Sequence, residues 1–592
     1  MYLTGKRTTF VEVGITISIC GGASLAPLQI AVPSALANTY TVAQSSPPPG
    51  ITIPEGAPET LEQTIPNPTD LSPPLPQETP LSPPQPNLQL PTTPQPPQVP
   101  SLSPELFRIN QIEVLGNTVL QSEIAELTQT YHNQDVTFET LLELRQRITQ
   151  LYIQQGYVTS GAFLPKQNIS DGMIQIQVVE GEIEQIQIQG LNHLKPGYVR
   201  RRLELATDTP FNQHRLEEAL QLLQLDPLLN QVNAELIAGS GSGKNILLLD
   251  LQETPSFHAG VSGANNQSPS IGSEQANLFI SHDNLFGFGD RVTAEYGFTA
   301  GLDFYRFNYG IPINARDGKI SFSYSNSNSR ILEAGFEDLG IRSESRTLSV
   351  NFRQPIVRSP ETEFALGVSV DWRRSQSFLL NDIPFSFSLG PEDGESKVTV
   401  LRIFQEWSDR TPNRILAARS QFSLGLDAFD ATINNTGTDG RFFSWLGQIQ
   451  WVQRLSPKTV LLTQINTQLT PDSLLSLERF GMGGGDSIRG YRQNQLVTDN
   501  GIWGSLEVRI PLTSNPNQLQ LVPFFDIGTA WNNQDDDPNP NTIASLGLGL
   551  NWRINSDLDL RLDYGIPLIK VNQRGDSLQE SGFHFSLDYQ PF

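Results

Sequence analysis

Apolar and polar side chains alternate with a period of two through the C-terminal part of the chain, residues 254–592. The apolar row of a run commonly ends in an aromatic residue, as in Leu546–Trp552, Leu558–Tyr564 and Phe583–Tyr589. This pattern gives each strand one apolar and one polar face. A soluble β-sandwich shows the same alternation. Its repetition over about 340 residues, with aromatic row ends, favours strands that cross an outer membrane.

This segment is long enough to form a closed barrel. Every backbone amide in hydrocarbon must be hydrogen-bonded, so a membrane-spanning sheet has to close on itself. At about 10 residues per strand plus turns, the segment suits roughly 14 to 18 strands. We therefore predict a mainly β fold with a C-terminal transmembrane antiparallel β-barrel of about 16 strands at residues 254–592.

Two consecutive α+β modules are predicted before the barrel, at residues 105–180 and 181–253. The pattern in each is β-α-α-β-β. The segment "INQIEVLGNTVL" from Ile109 is echoed by "IEQIQIQGLNHL" from Ile183, 74 residues later. Self-similarity at a fixed spacing indicates tandem modules. Each module would bury one sheet face under two helices and leave a strand edge for another extended chain.

The N-terminal residues resemble a secretion signal followed by a tether. Lys6 and Arg7 precede an uncharged run that ends in a small-x-small site, so residues 1–37 are predicted to be a signal peptide. Residues 38–104 are predicted to be a proline-rich disordered linker, because 20 prolines and no Lys or Arg lie within residues 47–104.

Composition excludes several classes of function. The formal net charge of −23 argues against nucleic-acid binding, which requires basic surfaces. The mean hydropathy of −0.27 argues against a helical membrane protein. The single cysteine, Cys20, lies within the predicted signal peptide, so cysteine-based metal or nucleophile chemistry is not expected.

No motif of the chain indicates a catalytic, nucleotide or metal site. The stretch "GSGSGKN", residues 239–245, lacks the first glycine and the final Ser or Thr of a phosphate-binding loop, so we interpret it as a hairpin turn. The stretch "DNLFGFGDRV", residues 283–292, is likewise interpreted as a hairpin. The six histidines lack metal-ligand spacing. We therefore predict no catalytic residue, cofactor, metal or nucleotide.

The stretch "GGGDSIRGYRQN", residues 483–494, is the strongest candidate for a functional site. Gly483, Gly484 and Gly485 would let a chain enter a barrel lumen without side-chain bulk. An arginine inside a barrel needs a partner, because stranding one member of a buried pair costs about 3–5 kcal/mol. On the later strand "PFFDIGTAW", Asp526 shares a small, polar face with Gly528 and Ala530.

These modules, the barrel and the tip Ile488, Arg489, Gly490 and Tyr491 resemble the two-partner secretion transporters of the ShlB/FhaC/HecB (TpsB) type. That family belongs to the POTRA-barrel translocase superfamily. The resemblance covers residues 107–592 and implies POTRA modules, a lumen loop with a Val/Ile-Arg-Gly-Tyr/Phe tip, and a salt bridge from Arg489 to Asp526. Some members have an N-terminal plug helix. The proline-rich stretch is not expected to form one, which leaves residues 38–46 or no plug.

The predicted function is an outer-membrane channel, not an enzyme, that secretes an unfolded partner exoprotein of haemolysin or adhesin type. The modules would lie in the periplasm and the barrel in outer-membrane lipid. Two strands are predicted as substrate-binding edges; their residues are Ile174, Ile176, Val178, Ile246 and Leu248. The alternatives are a barrel-assembly insertase of the same superfamily and a passive porin.

Overall fold

A computed structural model describes residues 53, 56–65, 87–90, 106–167, 172–435, 437–571 and 575–592. The predicted signal peptide, residues 1–37, lies outside the described residues. Within the described ranges, no helix is both long and apolar enough to cross a membrane.

Two short elements lie in the proline-rich stretch, where we had predicted disorder. They are α1 (Ala57–Glu62) and β1 (Asn87–Gln89). The prediction is wrong at these positions for a physical reason. Pro58 lies in the first turn of α1, where a missing N–H removes no intrahelical hydrogen bond. The helix and the residues after it bury Ala57, Leu61 and Ile65, and this burial stabilises a segment of low intrinsic propensity.

The first module has the predicted β-α-α-β-β order with two small additional strands. Helix α3 buries Leu144 and Ile148 against Ile174 and Ile176 of the sheet. The elements are β2 (Phe107–Ile109), β3 (Gln111–Leu115), α2 (Gln121–Gln129), β4 (Gln134–Val136), α3 (Phe138–Gln154), β5 (Gly161–Phe163) and β6 (Met173–Val179). The sheet order is β3-β6-β5, and β2 pairs with β4.

The second module repeats the β-α-α-β-β pattern. Its elements are β7 (Glu182–Gln189), α4 (Pro196–Glu204), α5 (Gln213–Gln224), β8 (Leu229–Ala238) and β9 (Lys244–Glu253). The two helices bury Val199, Leu216 and Leu220 against the sheet. The sheet order is β1-β8-β9-β7, so the chain's own β1 forms one outer strand. Residues 239–243 connect β8 to β9 as the predicted hairpin.

Sixteen long antiparallel strands close into a barrel in the part of the chain that the structure describes, and β10 pairs with β28. This confirms the predicted fold class. The elements are β10 (Phe257–Ala264), β11 (Gln275–Asp283), β12 (Arg291–Phe298), β13 (Leu302–Pro312), β14 (Lys319–Arg330), β15 (Arg342–Arg358), β16 (Thr362–Leu379), the short β17 (Ile383–Pro384), β18 (Glu395–Thr411), β19 (Arg414–Leu426), β20 (Phe443–Arg454), β21 (Val460–Leu469), the short β22 (Phe480–Met482) and β23 (Leu496–Thr498), β24 (Asn500–Pro511), β25 (Leu519–Trp531), β26 (Thr542–Arg553), β27 (Leu558–Pro567) and β28 (Phe583–Tyr589).

The outer surface of the barrel is apolar over only part of its height. Strand β16 is 18 residues long, well beyond the roughly 10 residues that span a membrane. Its outward row includes Leu366, Val368 and Trp372 and then turns polar at Arg374. Since hydrocarbon requires apolar contacts, the part of β16 beyond Trp372 rises above the membrane as a rim.

The second module rests on the turns at one end of the barrel. Lys195 N–H donates to the carbonyl of Gly287 (2.9 Å), and the Lys195 ammonium lies over the Phe288 ring. Arg202 Nη2 donates to Asp317 Oδ1 (3.1 Å) in the turn between β13 and β14. These contacts place the modules at the mouth opposite the rim, because the connection from β9 leads directly into β10.

Candidate functional site in the barrel lumen

A long loop between β21 and β24, residues 470–499, fills much of the lumen. It contains a 3-10 turn at Ser476–Glu478 and the hairpin β22–β23. Most of its side chains are buried, including the charged Glu478 and Arg489. A buried charged side chain is costly unless it is paired, so the partners of this loop define the candidate site.

The loop turns sharply at the first two of the three consecutive glycines. Gly483 and Gly484 have φ angles of 112° and 98°, which an L side chain rarely adopts. A Cβ at Gly484 would lie 1.9 Å from Gln493 Oε1. Gly485 differs, because a Cβ there would meet His584 at an ordinary 3.7 Å. The glycine requirement therefore rests on Gly483 and Gly484.

The tip arginine is held by two carboxylates and a hydroxyl of the barrel wall. Arg489 Nε donates to Asp526 Oδ2 and Nη2 to Asp526 Oδ1, both at 2.8 Å. Its Nη1 donates to Glu507 Oε1 at 2.7 Å, and its Nη2 to Ser505 Oγ at 3.1 Å. The two parallel bonds to Asp526 form the bidentate fork that a lysine cannot make. Arg489 is only 2 % exposed, and Asp526 is fully buried.

The backbone and ring contacts of Arg489 complete its environment. Its own N–H donates to Asp526 Oδ2 at 3.1 Å, and its guanidinium lies 3.5 Å from the centroid of the Phe524 ring. Asp563 Oδ1 on β27 lies 3.7 Å from Arg489 Nη1. Three strands of the barrel wall, β24, β25 and β27, therefore supply the partners of this one arginine. This arrangement fixes both the position and the orientation of the tip.

The other residues of the tip pack closely on the wall. Ile488 is fully buried among apolar side chains of the loop and wall, and a Cβ at Gly528 would lie 2.7 Å from its Cδ1. The Gly490 N–H donates to His584 Nε2 at 2.9 Å, so that ring nitrogen carries no proton. The Tyr491 hydroxyl lies 2.8 Å from the carbonyl oxygen of Ala544. Each residue of the tip therefore makes its own specific contact with the barrel wall.

The next arginine ties the loop to the far side of the rim. Arg492 Nη2 donates to Glu333 Oε2 and to Ser270 Oγ, both at 3.0 Å. Glu333 lies in the connection between β14 and β15, and Ser270 in that between β10 and β11. The loop thus spans the lumen between two parts of the wall.

The base of the loop is also anchored by charge. Glu478 accepts hydrogen bonds at 2.9 Å from Arg373 Nη1 on β16 and from Arg402 Nη2 on β18. Arg402 is also paired with Asp371. All four side chains are buried, so this second cluster is as shielded from water as that of Arg489.

Helix α1 contacts both the loop and the barrel at the rim. Arg479 Nη1 donates to both carboxylate oxygens of Glu62, at 3.2 and 3.1 Å. Leu61 packs in a cluster with Leu379 at the end of β16 and with Phe385 in the connection after β17. The expectation that the proline-rich stretch forms no plug helix is therefore wrong. The six-residue helix α1 lies inside the barrel, where Glu62 anchors it to Arg479.

Comparisons with known proteins identify this architecture. The family model described as haemolysin secretion/activation protein ShlB/FhaC/HecB matches residues 243–552, more than half of the chain. The chain belongs to this family. The model of the ShlB-type POTRA domain matches residues 107–181. As a member of the family, the chain is an outer-membrane transporter of the two-partner secretion type, with its POTRA modules in the periplasm.

Individual relatives agree with the family. The outer membrane transporter CdiB of Dickeya dadantii is 24% identical over 76% of this chain and 79% of its own length. The structure of CdiB from Escherichia coli has the same fold, with a TM-score of 0.64 at 22% identity, covering 84% of this chain and 92% of that chain. The outer membrane protein assembly factor BamA of Nitratidesulfovibrio vulgaris is 24% identical over 68% of this chain but only 51% of its own length, so the insertase alternative is the more distant match.

The structure brings together all the lumen residues that the sequence singled out and adds several that it missed. Glu507, Ser505 and Asp563 were missed, although each lies on the inward row of a barrel strand. The sequence signal that could have identified Glu507 and Asp563 is an acidic residue on the inward row of an alternating strand. His584 was dismissed because it has no metal-ligand spacing, whereas its role here is to accept one backbone hydrogen bond.

The two predicted substrate-binding edges are not edges. Strand β6, with Ile174, Ile176 and Val178, lies between β3 and β5. Strand β9, with Ile246 and Leu248, lies between β7 and β8. In each module the last strand inserts between two earlier ones, which the linear order of elements does not reveal. This part of the prediction is wrong.

Proposed function

We propose that this transporter secretes one partner exoprotein of haemolysin or adhesin type, as an extended chain, and catalyses no reaction. The description of its family names haemolysin secretion and activation. The partner would be captured in the periplasm by the POTRA modules and would pass through the lumen. Its folding outside would drive transport, since the chain offers no nucleotide-binding motif.

The observation that carries this proposal is how the lumen is closed. The loop and α1 close it through ion pairs between Glu478 and Arg402 and between Glu62 and Arg479. Ion pairs and hydrogen bonds exchange for water more readily than a fused apolar core does, because water solvates both partners once they separate. Such a closure suits a pore that opens for a chain and then reseals.

The Arg489 cluster would keep the loop in a transport-competent position. A passive porin does not need a buried arginine held by three strands, and the cost of stranding that arginine, about 3–5 kcal/mol, makes the seat a strong constraint on the loop. We therefore assign Ile488, Arg489, Gly490, Tyr491 and Asp526 a positioning role in secretion.

The test is to delete this gene in its host and compare the proteins in the culture medium and in the outer membrane. Loss of one large secreted protein, with other barrel proteins unchanged, is the expected result. A general loss of outer-membrane barrels would indicate an insertase.

Complementation of the deletion tests the lumen loop. The native chain should restore secretion and Arg489→Ala should not. Gly485→Ala, the matched control within the same loop, should restore it.

The porin alternative is tested by removing the modules. A chain without residues 107–253 should retain the barrel but secrete nothing, because capture of the partner is assigned to the modules. Unchanged transport by that shortened chain would contradict the proposal and favour a passive pore.

A further inference from the structure

The outward face of the barrel changes from apolar to basic at one level of its tall side. On this face, residues paired side by side form rungs that cross β13, β14, β15, β16 and β18. Two successive rungs are almost entirely apolar: Tyr309, Phe322, Val350, Val370 and Leu401, and then Phe307, Tyr324, Leu348, Trp372 and Thr399. The next rung toward the rim is Tyr305, Asn326, Arg346, Arg374 and Lys397. The apolar surface therefore ends where three cations begin.

The three cations of this rung, Arg346, Arg374 and Lys397, form what we call the basic row. Arg346 is directly opposite Arg374, and Arg374 is directly opposite Lys397. Neighbouring strands are about 4.8 Å apart, and like charges at opposed positions repel each other. The side chains of Arg346 and Arg374 are 56% and 53% exposed. The row is therefore an unfavourable arrangement unless an anion compensates it.

The carboxylates of the protein compensate the basic row only weakly. Each of the two glutamates one rung further out is shared between two cations: Glu344 between Arg342 and Arg346, and Glu395 between Arg374 and Lys397. Glu344 Oε2 lies 3.9 Å from Arg346 Nη2, which is too far for a hydrogen bond. Asp430, 3.4 Å from Lys397, has a side chain that is 90% exposed. Exposed ion pairs contribute little to stability, so these carboxylates can give way to a stronger anion.

The level of the basic row indicates which anion it meets. Successive rungs on one face are about 7 Å apart along a strand, and aromatic side chains such as Trp372 mark the boundary of the hydrocarbon. The modules lie in the periplasm, at the opposite mouth, so this boundary belongs to the outer leaflet. The basic row therefore lies at the level of the lipid head groups, with an apolar rung directly below it for the acyl chains.

The basic row is a feature of one side of the barrel. At the corresponding ends of β24, β27 and β28, the outward residues are Ile502, Ile566 and Phe583, and all three are exposed. On that side the apolar surface continues to the ends of the strands. The three aligned cations on β15, β16 and β18 are therefore a local arrangement and not the general edge of the apolar band.

We propose that the basic row and the apolar rung below it bind a phosphate-bearing lipid of the outer leaflet. The guanidinium groups of Arg346 and Arg374 can each donate two parallel hydrogen bonds to phosphate oxygens. Three cations spread over about 10 Å, two strand spacings, suit a head group with more than one phosphate. The bound lipid would tie the tall wall of β15, β16 and β18 to the membrane.

The first test uses the native full-length protein in detergent. Mass spectrometry of the intact protein counts the lipids that it retains. The probes are diphosphoryl lipid A, a glycolipid with two phosphate groups, and dioleoylphosphatidylcholine, which has no net charge. Each cation near a membrane surface contributes about 1 kcal/mol to the attraction of an anionic lipid, so we expect roughly tenfold or greater preference for lipid A. Equal retention of the two lipids would overturn the proposal.

Variants locate the site on the barrel. The triple variant Arg346→Ser/Arg374→Ser/Lys397→Ser should lose roughly tenfold in affinity for lipid A. The control Arg291→Ser/Arg414→Ser/Arg553→Ser removes three cations at the opposite ends of the strands, each exposed and paired with one aspartate, and should bind as the native protein does. Arg346→Lys/Arg374→Lys keeps the charge and should retain most of the affinity. Equal losses in the triple variant and its control would show general charge attraction and overturn the proposal.

A competition experiment separates a lipid from a soluble phosphate compound. The competitor is glucosamine disaccharide bisphosphate, the head group of lipid A without acyl chains. We expect it to displace lipid A only at a much higher concentration, because it cannot contact the apolar rung below the basic row. Displacement at the same concentration as unlabelled lipid A would show that the row binds a free phosphate compound, which would contradict a lipid site.

Discussion

Gly490 at the tip of the lumen loop and Gly565 on β27 lie with their backbones in direct contact. A Cβ on Gly490 would fall 2.8 Å from the Gly565 oxygen, and a Cβ on Gly565 would fall 2.7 Å from the Gly490 nitrogen. Gly490 also has a φ of 89°. Neither backbone can move without breaking barrel or tip hydrogen bonds, so this contact determines how deeply the tip is seated.

Gly565→Ala should therefore lift the tip away from the wall while the barrel still folds. Overpacking of this kind costs about 1–3 kcal/mol. Trypsin provides a direct measurement, because Arg489 and Arg492 are buried in the native chain and protected. We expect the variant to be cleaved at these arginines about tenfold faster. Gly485→Ala, where a Cβ meets nothing closer than 3.7 Å, should be cleaved at the native rate. Equal rates in both variants would contradict this.

Arg489→Ala should impair secretion more than Asp526→Ala. Removing Arg489 leaves Asp526, Glu507 and Asp563 close together without their shared cation, whereas removing Asp526 leaves Arg489 paired with Glu507. Arg489→Lys should rescue little, because one ammonium cannot replace the fork. Rates of exoprotein release measure these losses.

The double variant Arg489→Ala/Asp526→Ala should secrete about as poorly as Arg489→Ala alone, since residues that act as a unit are not additive. Losses that simply multiply would show that the two side chains act independently. The sequence alone predicts equal losses for the two single variants; the second carboxylate, Glu507, is what makes them unequal.

Glu62→Ala should loosen α1 in the lumen. The substitution leaves the buried Arg479 without one of its partners and removes the hydrogen bond to Ser476. In a planar bilayer we expect more frequent or larger ion-conducting openings than in the native protein. Gln63→Ala is the matched control, because the adjacent Gln63 Oε1 accepts no hydrogen bond within the described part of the chain. Identical conductance in both variants would show that Glu62 does not retain the helix.

Acid should weaken the contact between the second module and the barrel, which includes the ion pair of Arg202 with Asp317. Burial by itself raises the pKa of Asp317. The nearby cations Lys319, Arg358 and Arg202 outweigh this effect and hold that pKa below its ordinary value of 3.8. A carboxylate with a lowered pKa contributes stability above its ordinary pKa, and this contribution is lost as the pH falls through the lowered value. Spin labels on the module and on the turn at residues 313–318 should report a broader distance distribution below about pH 4. Asp317→Ala should show that breadth already at neutral pH, and Asp250→Ala, an exposed change on β9, should not.

The alternating strands and the repeated module could be predicted from sequence because both follow from local periodicity. The pairing of β9 between β7 and β8 could not, since sheet order depends on which strands meet in three dimensions. The partners of Arg489 could be predicted from the sequence only in part. Asp526 carried a recognisable pattern, whereas Glu507 and Asp563 became partners only because barrel curvature places β24 and β27 around the same tip.

The proline-rich stretch was misjudged for a related reason. Composition correctly indicated low propensity around Pro58 and Pro86, but α1 and β1 are stabilised by surfaces elsewhere in the chain. Leu61 and Leu88 each pack in an apolar cluster made mostly by other segments of the chain, and Glu62 pairs with Arg479. Because these contacts come from residues that are distant in sequence, the local sequence does not reveal them.

The height of β16 has a consequence for access from outside the cell. Leu379 lies at the far end of that strand, beyond the level where Trp372 gives way to Arg374, and α1 packs against it. Helix α1 therefore lies at the level of the rim, above the lipid, although most of its described side chains are buried. An antibody fragment that binds the rim of β16 would therefore restrain the closed pore from outside the cell, without entering the bilayer.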